Sequence, residues 1–248
     1  MHNAISLTGQ RVFITGAGGA IGAAAARACA ALGAELSIAD LKAPGELAHE
    51  LTEAGVAVVA YALDNTKRED VARVVEEAGR VDALCDCSGY YSKGDWLTGG
   101  DAWEAIYRST LDVNLLGPFN LVRAVLPGML ERRQGRIVLT TSMAARNAGT
   151  TSSIDPAYVA SKGALQSVVR YFAKQVADKG VVVNAISPGP IITPLLLSSN
   201  QIYTADHYPM KRLGRPDEIG WPLAFLCSKA TSFMTGAVID VNGGMAFT

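Results

Sequence analysis

A tyrosine and a lysine stand four positions apart, at Tyr158 and Lys162. On a helix, this spacing places the two side chains on one face, one turn apart. A phenol has a pKa of about 10 and exchanges protons poorly at neutral pH, whereas a nearby ammonium favours the phenolate and lowers that pKa. The pair therefore predicts a device that moves a proton on or off an alcohol oxygen. The spacing alone is weak evidence, because many solvated helix faces carry the same two residues.

The elements that would position this pair follow from alternating strand and helix patterns. Short apolar runs predict strands at residues 11–15, 34–39, 56–63, 81–87, 136–141, 181–187 and 237–241. Helical patterns lie between them, at residues 23–32, 44–54, 67–79, 101–130, 156–179 and 216–227. Asp101 is the predicted N-cap of the helix at 101–130, which Asn114 is expected to kink. The alternation predicts an α/β fold: a doubly wound (Rossmann) parallel sheet of about seven strands with helices on both faces, in one domain over residues 1–248.

A glycine-rich turn joins the first predicted strand to an alanine-rich helix. It contains Gly16, Gly18, Gly19 and Gly22. In this context, the backbone and the helix N-terminus can bind a pyrophosphate. Asp40, which ends the second strand, can accept hydrogen bonds from an adenosine ribose and repels a 2′-phosphate. These features favour NAD over NADP, although an Asp at this point can also simply cap a loop.

Composition limits the partners that the chain can have. The 248 residues are 49% hydrophobic and carry a net charge of −1, which gives no support for nucleic acid or an anionic membrane surface. We see no run near the roughly 18 apolar residues of a membrane span and no signal peptide at the N-terminus, so we expect a cytoplasmic protein. The four cysteines (Cys29, Cys85, Cys87 and Cys227) are predicted to be buried reduced thiols, with no metal site.

Two loops are candidates for a substrate pocket. Residues 90–96 contain Tyr90, Tyr91 and Trp96, which either line a pocket or cover an edge of the core. Residues 190–213, including Tyr203, lack clear periodicity and are predicted to form a lid or specificity loop. These aromatic residues, without an obvious basic cluster, favour a cyclic, aromatic or otherwise apolar alcohol or ketone over a sugar phosphate.

Together, these motifs resemble the classical short-chain dehydrogenase/reductase family over essentially the whole chain. The matching positions are Thr15, Gly16, Gly22, Asp40, Asp64, Asn114, Ser142, Tyr158, Lys162, Asn184, Pro188, Gly189, Thr193 and residues 241–244. The resemblance also implies a homo-oligomer, either a tetramer or a dimer, with the long helices that begin near Asp101 and Pro156 at one interface.

The resemblance implies a role for each catalytic position. Tyr158 would be the acid/base, and Lys162 would lower its pKa and bind the nicotinamide ribose. Ser142 would position the substrate oxygen, and Asn114 would hold a water that links Lys162 to solvent. The positions implied for the cofactor are Gly16, Gly18, Gly19, Ala20, Ile21, Gly22, Asp40, Leu41, Asp64, Asn65, Cys87, Ser88, Gly89, Tyr158, Lys162, Pro188, Gly189, Ile191 and Thr193.

Three departures from the family pattern stand out. Ala20 replaces a glycine of the cofactor loop, where its Cβ can crowd the phosphates. The stretch from Asp86 to Gly89 reads Asp-Cys-Ser-Gly instead of the usual Asn-Asn-Ala-Gly, and a buried Asp86 must find hydrogen bonds or a cation. The interval between Ser142 and Tyr158 is longer than usual, which affects the shape of the substrate pocket.

The leading hypothesis is an NAD(H)-dependent oxidoreductase that interconverts a secondary alcohol and a ketone. Two alternatives stay open: an NADPH-dependent reductase of 3-oxoacyl thioesters, and a cofactor-binding regulator without catalysis. Use of Ser142 as an acylated nucleophile is disfavoured, because none of the histidines (His2, His49 and His207) stands in a hydrolase motif.

Overall fold

Seven parallel strands form one sheet in the order β3-β2-β1-β4-β5-β6-β7. The computed structural model describes residues 4–148, 154–197 and 208–246. The strands are β1 (Arg11–Thr15), β2 (Glu35–Asp40), β3 (Val58–Ala62), β4 (Ala83–Asp86), β5 (Gly135–Thr140), β6 (Val181–Pro188) and β7 (Val238–Val241). The predicted doubly wound sheet is confirmed.

Helices connect the strands and cover both faces of the sheet. They are α1 (Ala20–Ala31), α2 (Gly45–Glu53), α3 (Arg68–Ala78), α4 (Gly100–Leu111), α5 (Gly117–Glu131), α6 (Ala144–Asn147), α7 (Pro156–Val176), α8 (Pro194–Leu197) and α9 (Asp217–Cys227). A π-helical segment, Asp112–Leu116, joins α4 to α5.

The two faces of the sheet pack against different helices. Because side chains alternate along a strand, Val12 and Ile14 lie on one face and Phe13 on the other. The first face packs against α1 and α9, and the second against α3, α5 and α7. Burial on both faces explains why the strands are apolar almost throughout, as in other parallel sheets.

The long helix predicted at residues 101–130 is interrupted at the predicted position. Asn114 lies in the π-helical segment, whose wider turn contains an extra residue. The assignment of Asp101 as the N-cap is wrong. Gly99 occupies that position and its N–H bonds to the carbonyl of Asp95, so the helix begins earlier and Asp101 lies in its first turn.

The helical stretch from residue 100 to residue 131 is long and apolar enough to span a membrane by length and composition alone. Its most apolar window has a mean hydropathy of 1.3, and 44% of that window is buried inside the structure. Core helices of globular proteins pass the same test, so the result is weak evidence for a membrane span.

Candidate active site

A cleft of about 520 Å³ lies where the carboxyl ends of the strands meet. Ligands of parallel α/β sheets bind at this edge. Most residues that sequence reasoning placed at the site line the cleft: Gly16, Gly18, Gly19, Ala20, Ile21, Gly22, Cys87, Ser88, Gly89, Ser142, Tyr158, Lys162, Pro188, Gly189, Ile191 and Thr193. The others, which are not part of its wall, are Asp40, Leu41, Asp64, Asn65 and Asn114.

The glycine loop is packed so tightly that two of its glycines have no room for a side chain. Gly16 has a φ of +68°, and a Cβ there would lie 2.6 Å from the backbone of Cys87 and Ser88. A Cβ on Gly22 would lie 2.1 Å from the carbonyl oxygen of Gly16. Ala20, where the chain departs from the family pattern, is the first residue of α1 and lines the cleft.

The N-terminus of α1 opens into the cleft. Gly19 occupies the N-cap position, and no side chain caps the helix. The first N–H groups of a helix have no partner within the helix, and they lie at its positive end. Ala20, Ile21 and Gly22 of this first turn line the cleft. The loop and the helix end therefore fit the phosphates of a dinucleotide.

Asp40 bonds to the glycine loop from the end of β2. One carboxylate oxygen accepts a hydrogen bond from the N–H of Gly18 at 2.9 Å, and the other accepts from the N–H of Leu41 at 2.7 Å. The side chain of Leu41 is exposed. A negative charge therefore lies directly beside the loop that fits the phosphates.

Asp86 finds the hydrogen bonds that its burial requires. One carboxylate oxygen accepts from the Thr15 hydroxyl at 2.7 Å and from the N–H and hydroxyl of Ser88, at 2.9 and 2.5 Å. The buried carboxylate of Asp86 therefore has hydrogen-bond partners within the fold. Through them it connects β1 with the residues that follow β4.

Asp64 and Asn65 follow β3 and are not part of the cleft wall, although Asn65 contacts a residue of that wall. The Asn65 amide donates to the Ser88 hydroxyl at 2.9 Å, which supports the wall from outside. Asp64 accepts from Thr66 and pairs with Lys67 at 3.2 Å. The hydrogen bond from the Thr66 hydroxyl, with the Lys67 charge, holds the pKa of Asp64 below its usual value.

Ser142, Tyr158 and Lys162 line the same cleft as the glycine loop, and the side chains of Ser142 and Tyr158 are hydrogen-bonded to each other. Loss of water around the phenol raises the pKa of Tyr158, and a hydrogen bond with the Ser142 side chain opposes that rise. The lowered pKa expected from the Tyr158 and Lys162 spacing is therefore wrong for the protein alone. The spacing could not show how strongly the phenol is desolvated.

Lys162 is almost completely buried, at 3% exposure. Its ammonium donates to the carbonyl oxygen of Thr140 at 3.0 Å. Burial lowers the pKa of Lys162 to about 8, and the negative charge of Asp86 opposes that change. Burying the charged form of Lys162 therefore costs free energy, and the lysine exchanges its proton near pH 8.

The stability of the cofactor-free protein should rise from about pH 8 to about pH 10 because of Lys162. Over this range the unfolded lysine stays protonated while the folded one loses its proton, so the unfolded state binds more protons. We expect a contribution of about 2 kcal/mol. Urea unfolding at successive pH values gives the free energy of unfolding of the wild type and of Lys162→Met. The contribution of Lys162 is the difference between the slopes of these two free energies against pH.

The matched control is Lys174→Met, which removes an exposed lysine from the same helix. Its stability should follow the pH dependence of the wild type. If the free energies of unfolding of the wild type and Lys162→Met changed in parallel with pH, the lowered pKa of Lys162 would be contradicted. Above about pH 10 the raised pKa of Tyr158 acts in the opposite direction, because the unfolded phenol ionises first, so the comparison ends there.

Asn114 connects the loop after β4 with α7. Its side-chain oxygen accepts from the N–H of Tyr90 at 2.7 Å, and its amide donates to the Tyr90 carbonyl at 2.9 Å and to the Ser161 hydroxyl at 3.1 Å. Ser161 precedes Lys162 directly on α7. Asn114 thus fixes the distance between the loop and this helix from a buried position behind the cleft.

Asp155 is a buried residue of the site region that sequence reasoning missed. It caps α7 by accepting from the N–H of Ala157 at 2.9 Å. Its other oxygen accepts from the Trp103 indole at 3.1 Å and from the N–H of Gly94 at 3.3 Å. An Asp directly before Pro156 is a helix-start signal that could have identified it.

The aromatic residues predicted at the pocket have different positions. Tyr90 and Tyr91 line the cleft, and the Tyr91 ring meets the Tyr158 ring edge-on at a centroid distance of 5.2 Å. Trp96 is not part of the cleft wall and is 60% exposed. Tyr203 lies outside the described residues. The cleft residues that sequence reasoning missed are Thr140, Thr141, Met143, Ala144 and Ile154, whereas Pro190, Pro194 and Leu196 belong to the predicted substrate loop at residues 190–213.

Comparisons with known proteins extend over nearly the whole chain. A family model described as Enoyl-(Acyl carrier protein) reductase matches residues 16–246. The chain is 34% identical to the 2-keto-3-deoxy-L-fuconate dehydrogenase of Xanthomonas campestris, over 96% of this chain and 80% of that protein. It is 32% identical to the 7alpha-hydroxysteroid dehydrogenase of Escherichia coli, over 97% of this chain and 95% of that protein.

A solved structure gives the same result. The 3-oxoacyl-[acyl-carrier protein] reductase of Brucella melitensis with bound NAD is 30% identical and superposes with a TM-score of 0.87, over 98% of this chain and 94% of the other. The glycine loop, the Tyr158 and Lys162 pair and the seven-stranded sheet agree with these matches. The chain belongs to the classical short-chain dehydrogenase/reductase family, whose members are oxidoreductases that bind a nicotinamide dinucleotide.

Proposed function

We propose that this protein is an NAD(H)-dependent oxidoreductase that interconverts a secondary alcohol and a ketone by hydride transfer. One observation carries the proposal: Ser142, Tyr158 and Lys162 meet in the same cleft that the glycine loop lines. Such a cleft can hold a dinucleotide and a small substrate side by side. When bound, the dinucleotide would supply or accept the hydride at the substrate carbon.

Tyr158 is the residue that we propose to move the proton. In ketone reduction, its neutral phenol donates a proton to the developing alkoxide, and the raised pKa keeps it protonated until that oxygen becomes basic. Ser142, which hydrogen-bonds with Tyr158, holds the substrate oxygen beside it. Lys162 would bind the nicotinamide ribose and favour proton release from Tyr158, and Asn114 would hold a water of the path to solvent.

The positions proposed for the cofactor rest on the cleft lining and on the family pattern. The glycine loop and the first turn of α1 would hold the pyrophosphate, and Asp40 would accept from the adenosine ribose. Pro188, Gly189, Ile191 and Thr193 would hold the nicotinamide carboxamide. The remaining positions proposed for the cofactor are Leu41, Asp64, Asn65, Cys87, Ser88 and Gly89.

We propose a cyclic, aromatic or otherwise apolar substrate. Among the described residues, the cleft that contains Tyr158 is also lined by Tyr90, Tyr91, Ile154 and Leu196, and Lys162 is the cationic residue of its wall. Residues 190–213 would form the substrate loop, of which 198–207 lie outside the described residues. The relatives are named for three different substrate classes, a sugar acid, a steroid and an acyl thioester, and their names therefore do not decide between these classes. The proposal of an apolar substrate is supported instead by the apolar side chains of the cleft wall.

The proposal is tested by turnover with NADH and NADPH on a panel of cyclic and aromatic ketones, a 2-keto sugar acid and acetoacetyl-CoA. Reduction of a cyclic or aromatic ketone with NADH is the expected result. Preference for acetoacetyl-CoA with NADPH would favour the second candidate, a 3-oxoacyl-thioester reductase. Binding of NADH without turnover on any of these compounds would favour a non-catalytic regulator.

Asp40→Asn should shift the cofactor preference toward NADPH by about tenfold, the effect of roughly 1.4 kcal/mol of relieved charge repulsion. Asparagine retains one side-chain oxygen for the N–H of Gly18 and removes the charge that opposes a 2′-phosphate. Its NH2 group cannot accept from the N–H of Leu41, so that hydrogen bond is lost as well. Fluorescence titration with NADH and NADPH measures the ratio of the two dissociation constants. Glu46→Gln, at an exposed position in the first turn of α2, is the matched control and should leave the ratio unchanged. An unchanged ratio in Asp40→Asn would remove Asp40 from its proposed role.

We also propose a cytoplasmic homo-oligomer, either a dimer or a tetramer, that has neither nucleic acid nor membrane as a partner. The helices expected at an interface carry exposed apolar side chains, with Tyr107 on α4 and Tyr171 on α7 at 38% and 61% exposure. Leu116, in the π-helical segment between α4 and α5, is 43% exposed. Sedimentation velocity over a range of concentrations measures the assembly.

A further inference from the structure

The four cysteines of the chain form one cluster that reaches the cleft wall at Cys87. Cys85 and Cys87 have their sulfurs 3.8 Å apart at the end of β4. The thiol of Cys227, at the end of α9, contacts those of Cys85 and Cys29, the latter on α1. Within the part of the chain that the structure describes, no three His, Cys, Asp or Glu side chains are arranged to hold a metal ion. All four cysteines are free thiols.

Cys87 differs from the other three cysteines in its access to small molecules. Cys29, Cys85 and Cys227 are at most 1% exposed, whereas Cys87 is partly exposed and lines the cleft. The expectation that all four thiols are buried is wrong for this one, because Cys87 lies just beyond the last residue of β4. A small oxidant that enters the cleft reaches Cys87 first, with Cys85 directly behind it.

We propose that Cys87 and Cys85 form an oxidation site for peroxide-class oxidants, and that the disulfide between them blocks dinucleotide binding. The Cys87 sulfur attacks one oxygen of hydrogen peroxide and the O–O bond breaks. Cys87 becomes a sulfenic acid, and the other peroxide oxygen leaves as water. The Cys85 sulfur then attacks the Cys87 sulfur, and the S–S bond forms as a second water leaves. Two thiols lose two electrons and two hydrogens in total, and one peroxide is reduced to two waters.

The geometry explains why this disulfide would deform the cleft. Residues two apart along a strand have Cα atoms about 6.4–6.8 Å apart, at the upper end of the range for a disulfide. The two sulfurs are 3.8 Å apart and a disulfide holds them about 2.05 Å apart, so closing the bond draws Cys85 and Cys87 together at this long Cα spacing. The N–H of Cys87 donates to the Thr15 carbonyl at 3.0 Å, so this movement pulls against the pairing with β1.

Displacement of Cys87 passes directly to the glycine loop. The Gly16 backbone packs against Cys87 and Ser88 so closely that a Cβ on Gly16 would lie 2.6 Å from both. A shift of Cys87 therefore moves Gly16, and with it the loop proposed to hold the pyrophosphate. Because the disulfide is strained, a dithiol should reduce it readily and restore the cleft.

The test treats the reduced full-length protein with about a tenfold molar excess of hydrogen peroxide, followed by catalase. Mass spectrometry of the peptide 81–93, which contains both Cys85 and Cys87, should show a loss of about 2 Da for two hydrogens. Fluorescence titration should show NADH affinity at least about tenfold weaker, and dithiothreitol should restore both values. NADH added before the peroxide should slow the reaction, since it covers Cys87.

Two variants separate this pair from the rest of the cluster. Cys85→Ala removes the second thiol, so peroxide should form no disulfide with Cys87 in this variant. Peroxide treatment should also weaken its NADH binding by less than about threefold, compared with the untreated, reduced variant. Cys29→Ala removes a cluster thiol that is not in the cleft wall, and it should behave as the wild type does.

Three results would overturn the proposal. They are a disulfide that involves Cys29 or Cys227, an unchanged mass after peroxide treatment, and equal loss of NADH affinity in Cys85→Ala and the wild type. The proposal relies on the dinucleotide site but not on hydride transfer. If the reduced protein bound no NADH, the proposed function would fail, while the mass change would still decide the thiol chemistry.

Discussion

Replacing Tyr158 with phenylalanine should lower turnover about a thousandfold and leave NADH affinity within about twofold. The substitution removes only the hydroxyl group. The ring can keep its edge-on contact with Tyr91, while the proton donor and the hydrogen bond with Ser142 are lost. Steady-state kinetics on a ketone from the panel, with fluorescence titration of NADH, measures the two effects separately.

The matched control is Tyr171→Phe, which removes an exposed hydroxyl from the same helix and should retain full activity. Activity in Tyr158→Phe near the wild-type level would exclude Tyr158 as the acid/base. Loss of NADH binding in the same variant would show instead that the hydroxyl supports the fold of the cleft, and the kinetic result would then say nothing about the proton.

The second large effect is expected from Gly22→Ala, which should weaken NADH binding at least about a hundredfold and destabilise the protein by about 2 kcal/mol. The added Cβ would lie 2.1 Å from the oxygen and 2.7 Å from the carbon of the Gly16 carbonyl. Both atoms belong to the backbone, which cannot rotate away as a flexible side chain can. The glycine loop must therefore move, and Gly16 with it.

Gly45→Ala is the matched control for this loop variant. Gly45 also begins a helix, α2, but a Cβ there would meet nothing within 4 Å. It should bind NADH normally and be slightly more stable, because alanine favours the helix. NADH titration and urea unfolding of both variants give the comparison. Normal NADH affinity in Gly22→Ala would show that the loop tolerates displacement, contrary to its tight packing.

The fold was largely predictable because its signals are local. The bounds predicted for β1, residues 11–15, are those observed, and α1 starts only three residues before the predicted Ala23. The cleft was predictable for a related reason: parallel strands bring their carboxyl ends to one edge, so the loops that follow them must meet. Residues far apart in sequence, such as Gly16 and Tyr158, therefore lie on the same cleft.

The unpredicted features depend on contacts between distant parts of the chain. Asp155 bonds to Trp103, 52 positions away, and to Gly94, 61 positions away, and no periodicity encodes either contact. The meeting of Cys29 with Cys227 is of the same kind. The direction of the pKa change at Tyr158 was missed because desolvation depends on everything packed around the phenol, not on the four-residue spacing.

The π-helical segment between α4 and α5 has a consequence for changes in chain length. A π-turn contains about one residue more than an α-turn, and each residue of an α-helix advances the direction of its side chain by about 100°. Deleting one residue from Asp112–Leu116 could restore a regular helix through this region. Asn114 would then rotate away from Tyr90, Ser161 or both, whereas α5 could still pack on the sheet. The length of this segment is thus as important to the cleft as the identity of Asn114 itself.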